Sequence, residues 1–343
     1  MQIAIHDRSG SFSDIWIEHC IENGIHYKEV NCYNSNIISE LKDCDGLMWH
    51  WDLTDYKSNL MARQLTQSLE RINIKVFPDV DTSWHYDDKV GQKYLLEAIG
   101  VPLINTYVFF SKKDADNWLS RTTFPKVFKL RNGAGSSNVR LVKDKPEAER
   151  MINIAFGQGF SQTNPFARLK ERIWMFRRDK NLTSAQRLLT GVARIFVKNE
   201  IEKYSQKEKG YIYFQDFIPQ NEFDIRLVIV GTRCFGLRRF CRKGDFRASG
   251  SGLKDYDYTK IDTECIRIAF ESAQKLNAQS VAFDFISHQG EYKIIELSYA
   301  FTSHQFPGFW DQNLNWHKGS VSPQKFMIED FVNSLVKVHK FVS

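Results

Sequence analysis

The sequence predicts a mixed fold, an α/β lobe followed by α+β units. Three observations carry this. Up to Phe77, short apolar runs alternate with helix-like stretches. Beyond Tyr211, β-rich runs follow one another with one long helical stretch among them. The 343 residues contain neither an internal repeat nor a low-complexity linker, which suits two or three closely joined lobes. We place the divisions at 1–100, 101–218 and 219–343.

In chain order, strands are expected at Gln2–Ile5 and Tyr27–Val30, in the run Gly46-Leu-Met-Trp-His-Trp, and at Lys75–Phe77. Helices are expected over Phe12–Asn23, Asn36–Lys42 and Lys57–Ile72. No G-x-G-x-x-G is present, so dinucleotide binding is unsupported. From Asp87 to Ile99 the period is helical, with Val90, Tyr94, Leu95 and Ala98 on one stripe, and Gly100-Val-Pro stops it. Strands follow at Thr106–Phe110, Lys126–Leu130 and Val139–Val142. A basic helical region then runs from about Pro146 to Lys207, with Arg168, Lys170, Arg172, Arg177, Arg178 and Lys180 around Trp174 and Phe176. It reads as a solvated helix face rather than a nucleic-acid stripe. The second half reads as antiparallel sheet: Tyr211–Phe217, Asp224–Val230, Arg233–Cys241, Val281–Ile286 and Tyr292–Leu297, with a helix from Asp262 to Leu276.

Composition narrows the class. Hydrophobic residues make up 42% and charged residues 26%, as in a globular protein, and the formal net charge of +6 does not by itself call for nucleic acid. No run reaches the roughly 20 apolar residues of a membrane helix, and the N-terminus lacks signal-peptide character, so a cytoplasmic location without membrane insertion is expected. The six cysteines form no C-x-x-C pair and no zinc-like cluster, which reads as free thiols in a reducing compartment.

The strongest local signal lies in Val281-Ala-Phe-Asp-Phe-Ile-Ser and Glu291-Tyr-Lys-Ile-Ile-Glu-Leu-Ser, joined by a turn around Gln289-Gly290. A hairpin centred on Gly290 puts Asp284 directly across from Glu296, with Cβ atoms about 4.5–5.5 Å apart. Two like charges so close in apolar surroundings need compensation. A divalent cation supplies it, and all-oxygen ligation favours magnesium. The alternatives are an arginine partner for one carboxylate, or a register one residue away.

Between two expected strands, Gly133, Ala134, Gly135, Ser136 and Ser137 form a small-residue loop whose backbone N–H groups can approach an anion. Lys129 ends the preceding strand, within reach of a phosphate. No G-K-[ST] follows, so this is not a Walker A loop. Arg226, Arg238, Arg239, Arg242 and Arg247 are concentrated in one expected sheet, which favours phosphate or carboxylate binding. Strand alternation puts Arg239 toward the cleft and Arg238 away from it.

From about Lys75 to Phe331 these segments, in this order, resemble the ATP-grasp superfamily, most of all the branch of ribosomal-protein glutamate ligase and glutathione synthetase. The resemblance implies a pre-ATP-grasp α/β lobe followed by a two-subdomain ATP-grasp fold. By its pattern, Lys89 in Asp87-Asp-Lys-Val-Gly-Gln-Lys-Tyr-Leu-Leu-Glu-Ala-Ile-Gly-Val-Pro is the first ATP-contacting lysine. Lys129 is the second, and the loop with Gly133, Gly135, Ser136 and Ser137 folds over the phosphates. Tyr213-Phe-Gln-Asp-Phe-Ile is similar to the hinge that reads adenine, through Gln215, Asp216, Phe217 and Ile218. Asn221-Glu-Phe-Asp-Ile-Arg supplies Asp224 on the ribose side and Arg226 as a phosphate or substrate contact. Arg239 and Arg247 fall at anion-binding positions. Asp284 and Glu296 fall on the magnesium carboxylates, one or two ions being implied. The sequence departs from the pattern at Ser298, where the family usually has an asparagine ligand, and at Ser249, where asparagine is common. The tail from His304 to His317 resembles proteins of bacterial surface-polysaccharide assembly.

What the resemblance implies is ATP-dependent joining of a carboxylate to an amine or related nucleophile through an acylphosphate, with a small or sugar-linked acceptor. In this reading Lys89, Lys129 and Arg239 offset phosphate charge. His304, Trp310, Asp311 and His317 are candidates for shaping the acceptor pocket, with Trp310 and Trp316 better suited to a core. A phosphotransferase and a non-catalytic nucleotide-binding module stay open, as does a homodimer. The acid and the acceptor are not legible.

Overall fold

Four short apolar strands alternating with helical segments can bury both faces of a parallel sheet. In the computed structural model, β1 (Ile3–His6), β2 (Tyr27–Val30), β3 (Gly46–Met48) and β4 (Lys75–Phe77) do so, all parallel, in the order β2-β1-β3-β4. Helices Ser13–Glu22 and Tyr56–Arg71 connect its strands, the second started by the Asp55 carboxylate accepting from the Lys57 N–H. All residues are described except 53, 54, 134–137, 163–168, 170, 171, 178, 179, 197–202, 205, 303 and 343.

The second sheet is antiparallel, in the order β5-β8-β6-β7, from β5 (Thr106–Phe109), β6 (Lys126–Lys129), β7 (Val139–Val142) and β8 (Ile212–Asp216). Phe128, Ile212 and Phe214 bury one face against helices Lys112–Leu119 and Lys145–Ala155. The opposite face carries Val127, Lys129 and Gln215 into a cavity. The third sheet contains β9 (Phe223–Val230), β10 (Arg233–Phe240), β11 (Lys254–Asp255), β12 (Ser280–His288), β13 (Glu291–Ser298), β14 (Phe306–Trp310) and β15 (Trp316–Val321). Its order is β13-β12-β9-β10-β14-β15, with β11 added to β10.

Alternation along β9 shows how this sheet is buried on both faces. Ile225, Leu227 and Ile229 pack with Cys265, Ile266 and Ala269 of helix Thr263–Leu276. On the other face Val228 and Val230 join Ile3, Ile5, Met48 and Phe77 of the parallel sheet, and Met327, Ile328 and Phe331 of helix Pro323–Val342. The parallel sheet and the third sheet thus share one core, and a cleft opens where the apolar contact ends.

Two expectations change. Helix Lys89–Ala98 forms, but its buried residues are Lys89, Gln92 and Leu96, while Tyr94 is 47% exposed. The predicted stripe is rotated because Gln92 bonds to the main chain of Leu297 and His85. The aromatic tail builds β14 and the start of β15, and the terminal helix Pro323–Val342 follows; none of these elements was anticipated from the sequence. Trp310 is buried in that structure, as expected of a core residue. All six cysteines are free. Among the described residues no helix is long and apolar enough to cross a membrane.

The carboxylate hairpin needed a device the sequence did not reveal. Gln289 and Gly290 both have positive φ, +53° and +82°, the backbone of a two-residue type I′ turn. His288 therefore faces Glu291, and continuing that register would set Asp284 against Ile295. A β-bulge between Asp284 and Phe285 absorbs one residue, so Asp284 does face Glu296. Because strand side chains alternate, that one residue decides which face Glu296 occupies. It also lets Ile294 and Leu297, three apart, both enter the core beneath the sheet.

Candidate active site

Register alone assembles a row of charges on one face of the third sheet. Arg239 on β10 lies across from Asp224 on β9. Two residues along β9, Arg226 lies across from Asp284 on β12, which in turn faces Glu296 on β13. The contacts follow. Arg239 grips Asp224 through two N–H groups at 2.7 and 2.6 Å and reaches Asp284 at 2.7 Å. Arg226 grips Asp284 through two more, at 2.7 and 2.8 Å. Paired forks of this kind are strong and rigid. Burial pushes the Asp284 carboxyl up, but Arg226 and Arg239 outweigh it and hold the group well below the usual carboxylate range. Burial dominates at Asp224, whose carboxyl is raised despite Arg239.

Lys89, at the start of its helix, joins Glu296 at 3.0 Å and donates to the Gly133 carbonyl at 2.8 Å. The Gly133 N–H donates to Asp87 at 2.6 Å. Gly133 has φ +118°, and a Cβ there would meet the Asn138 amide at 2.7 Å, so this end of the loop requires glycine. Gly135, Ser136 and Ser137 lie outside the described residues. Lys129 donates to the Ile295 carbonyl, 3.1 Å away, at the bulge. Burial lowers its ammonium to about 8; Glu296 opposes this and Lys89 reinforces it. Burial also works against the Lys89 charge, but Glu296 and Asp87 outweigh it and raise its pKa.

Two cavities meet at this row. The smaller, about 90 Å³, is lined by Val127, Lys129, Gln215, Asp216, Phe217, Ile218, Asp224, Arg247, Asp284 and Glu296. The larger, about 940 Å³, opens between the third sheet and the parallel sheet and also includes Asp284 and Glu296. The structure thus brings together Lys89, Lys129, Gly133, the Gln215–Ile218 segment and both carboxylates. Ser298 lies near them but donates to the Ala300 carbonyl at 2.6 Å.

Arg226 and Arg239 hold Asp284 and Asp224, and Arg247 grips Asp245. Both oxygens of Asp224 accept from Arg239, which fixes that arginine. Asp311 and His317 pair with each other away from the cleft lining, whereas His304 does line it. Of the basic helical region, Arg168, Lys170 and Arg178 lie outside the described residues. Trp174 stacks under Arg242, 4.4 Å from its ring, and Met175 lines the larger cavity.

Sequence reading missed the contribution of the first lobe. Arg8, Gly10, Phe12, His50 and Asp52 line the larger cavity, with Arg8 and Asp52 paired at 2.5 Å. They sit just past the ends of β1 and β3, and a rule that ligands gather at the carboxyl ends of parallel strands would have found them. Lys254 was missed as well, because it lies on a two-residue strand with no motif around it.

Among the described residues no cluster of three or more His, Cys, Asp or Glu side chains is poised for a metal. The donors nevertheless fit an ion that arrives with phosphate. Glu296 keeps a third of its side chain exposed, and an all-oxygen pair opposed across a sheet suits a hard cation.

Residues 188–307 match the family model of the RimK-like ATP-grasp domain. No curated protein matches the chain. Among solved structures it is similar to a RimK-domain ATP-grasp protein from Sphaerobacter thermophilus, at 14% identity and TM-score 0.57, covering 96% of this chain and 99% of that one. It is also similar to the D-alanine–D-alanine ligase of Bacillus anthracis, at 14% identity and TM-score 0.55 with complete coverage of both chains. A D-cycloserine synthetase gives 12% identity and TM-score 0.59, over 98% of this chain and all of the other. The stretch 188–307 is thus similar to a RimK-like ATP-grasp domain, and the fold of the chain is the ATP-grasp fold.

Proposed function

On the premise of a RimK-like ATP-grasp domain, we propose that this protein is an ATP-dependent ligase that activates a carboxylate and passes it to an amine or related nucleophile. The observation that carries the reading is the shared wall of the two cavities. The small one lies against Lys129 and the Gln215–Ile218 segment and would take part of a nucleotide, the large one has room for a second molecule, and Asp284 and Glu296 line both. That is the layout a transfer from nucleotide to a second molecule requires, since catalysis of phosphoryl transfer is mostly positioning and charge neutralisation.

In this reading the main chain and side chains of Gln215, Asp216, Phe217 and Ile218 receive the adenine. Lys129 and Lys89 face the phosphates, and Gly133 anchors the loop that covers them. Asp284 and Glu296 would hold magnesium, which supplies charge neutralisation at the phosphate oxygens. Arg226 and Arg239 keep Asp284 ionised and fixed in position. The substrate carboxylate, as nucleophile, takes the terminal phosphoryl group, giving an acylphosphate and ADP; the acceptor amine then displaces inorganic phosphate and loses a proton. Water has to be kept from the acylphosphate, which is the work of a closed loop. A surface-polysaccharide or other sugar-linked acceptor is compatible with the cleft of about 940 Å³. A cytoplasmic setting and a homodimer complete the proposal.

The test is ADP release from Mg-ATP across pairs of carboxylates and amines, with Glu296→Gln as control. Acid-dependent release that needs an amine, and is lost in the control, supports a ligase. Release with a stable phosphorylated product and no amine requirement would replace it by a phosphotransferase.

A further inference from the structure

Around the two cavities, two lysines are left without a carboxylate among the described residues. Of the cations named so far that line the larger cavity, Arg8 is held by Asp52, Arg226 by Asp284, and Arg239 by Asp224 and Asp284. Lys254 lines the same cavity and has no carboxylate within ion-pair distance among the described residues. Its recorded partner is the His304 Nε2, 2.7 Å away. Lys129 is its counterpart in the smaller cavity, bonded to a main-chain carbonyl. Each cavity thus contains, among the described residues, an ammonium lacking a carboxylate partner; Lys129 is buried, whereas Lys254 stands exposed at the cavity wall, open to an incoming anion.

The surroundings of Lys254 favour that reading. The Ser249–Gly252 segment lines the cavity just before it, with Gly250 and Gly252 at φ +78° and +71°, so small residues leave space beside the ammonium. Tyr256 and Phe306 pack edge-on against the His304 ring and hold it in place. Burial first, then Lys254 and Arg226, lower the His304 pKa to about 4, so its ring is neutral and its Nε2 accepts from the ammonium. The Lys254 ammonium is itself destabilised, by burial and by Arg226 and Arg239.

We propose that Lys254, aimed by His304, is the seat for the carboxylate of the acid substrate, just as Lys129 is the seat for nucleotide phosphate. Lys254 neutralises the carboxylate so that it can approach the terminal phosphate; His304 is a positioning residue. The inference rests on the ligase reading and adds to it the place at which the acid binds.

The experiment uses the full chain with ring-labelled histidine, followed by NMR, and acetate as the minimal carboxylate against chloride at equal ionic strength. The His304 signal should shift saturably with acetate and not with chloride, and the acetate response should vanish in Lys254→Met. Removing the ammonium should also raise the pKa of His304. The signals of buried His50 and His85 report that the variant is folded. In the ADP-release assay, Lys254→Met should raise the KM for the acid at least about tenfold, as loss of one charged contact does, and leave Mg-ATP binding by calorimetry unchanged. Lys254→Arg should restore most of the loss, and His304→Gln should show a smaller rise. An acetate response identical in wild type and Lys254→Met, or an unchanged KM for the acid, overturns the proposal. Failure of Mg-ATP to bind overturns the ligase reading instead, and the acetate measurement still decides the fate of Lys254.

Discussion

Lys129 makes the nucleotide site a proton-linked one. Its ammonium is buried, its hydrogen bond goes to the Ile295 carbonyl, and Glu296, the nearest carboxylate, is already engaged by Lys89 at 3.0 Å. Burial therefore brings its pKa to about 8 in the empty protein. A triphosphate placed against it restores the charged form, toward the ordinary value of about 10.4 or above. The bound state then holds more protons than the free state, so affinity falls as pH rises through 8. Worked from a free pKa of about 8, binding takes up about 0.1 proton at pH 7, about 0.5 at pH 8 and about 0.9 at pH 9. The affinity for Mg-ATP should drop about tenfold between pH 7 and pH 9, or about 1.4 kcal/mol. The assay is titration calorimetry in buffers of contrasting ionisation enthalpy, where uptake appears as a buffer-dependent heat. ATP itself is fully ionised above pH 8 and adds nothing there. Lys129→Arg cannot titrate in this range and should bind with no proton uptake and a flat pH profile. Buffer-independent heats for the wild type at pH 8–9, or uptake retained by Lys129→Arg, would refute the reasoning.

Other outcomes follow from the same contacts. Glu296→Gln removes the carboxylate that pairs with buried Lys89 and faces the cavity, so ADP release should fall by about a hundredfold or more, and urea unfolding should show a loss of stability as that lysine loses its ion-pair partner. Asp284→Asn should both abolish release and destabilise the chain by about 3–5 kcal/mol, because buried Arg239 and half-buried Arg226 lose their shared partner; urea unfolding measures it. Arg239→Met should cost a similar amount, and the double change Asp224→Leu, Arg239→Met less than the sum of the singles, since it removes both charges of one pair. Gly133→Ala should impair nucleotide binding without affecting the core, as its Cβ collides with Asn138 beside the loop anchor.

Local physics was enough for much of this molecule. Strand and helix periods placed β2 and β4 to the residue and most of the other strands to within one or two. The hairpin that carries Asp284 and Glu296 was legible because two apolar runs flank a turn that demands positive φ, but their pairing stands only because the bulge shifts the turn's register by one. Alternation alone put Arg239 inward, and it is buried while its neighbour Arg238 is turned to Asp255. The parts that were not legible share one cause: they depend on what lies across space, not along the chain. The bulge at Ile295 changes no local propensity, yet it selects the face on which Glu296 stands and frees the carbonyl that Lys129 takes. The rotation of helix Lys89–Ala98 is set by the main chain of Leu297, two hundred residues on. Which arginines are occupied, and that Lys254 is not, follows from the register among β9, β10 and β12, and a sequence lists charges without saying which of them meet. Burial then acts on those meetings, and with help from Lys89 it lowers Lys129 to about 8, while Lys89 itself, next to a carboxylate, stays charged.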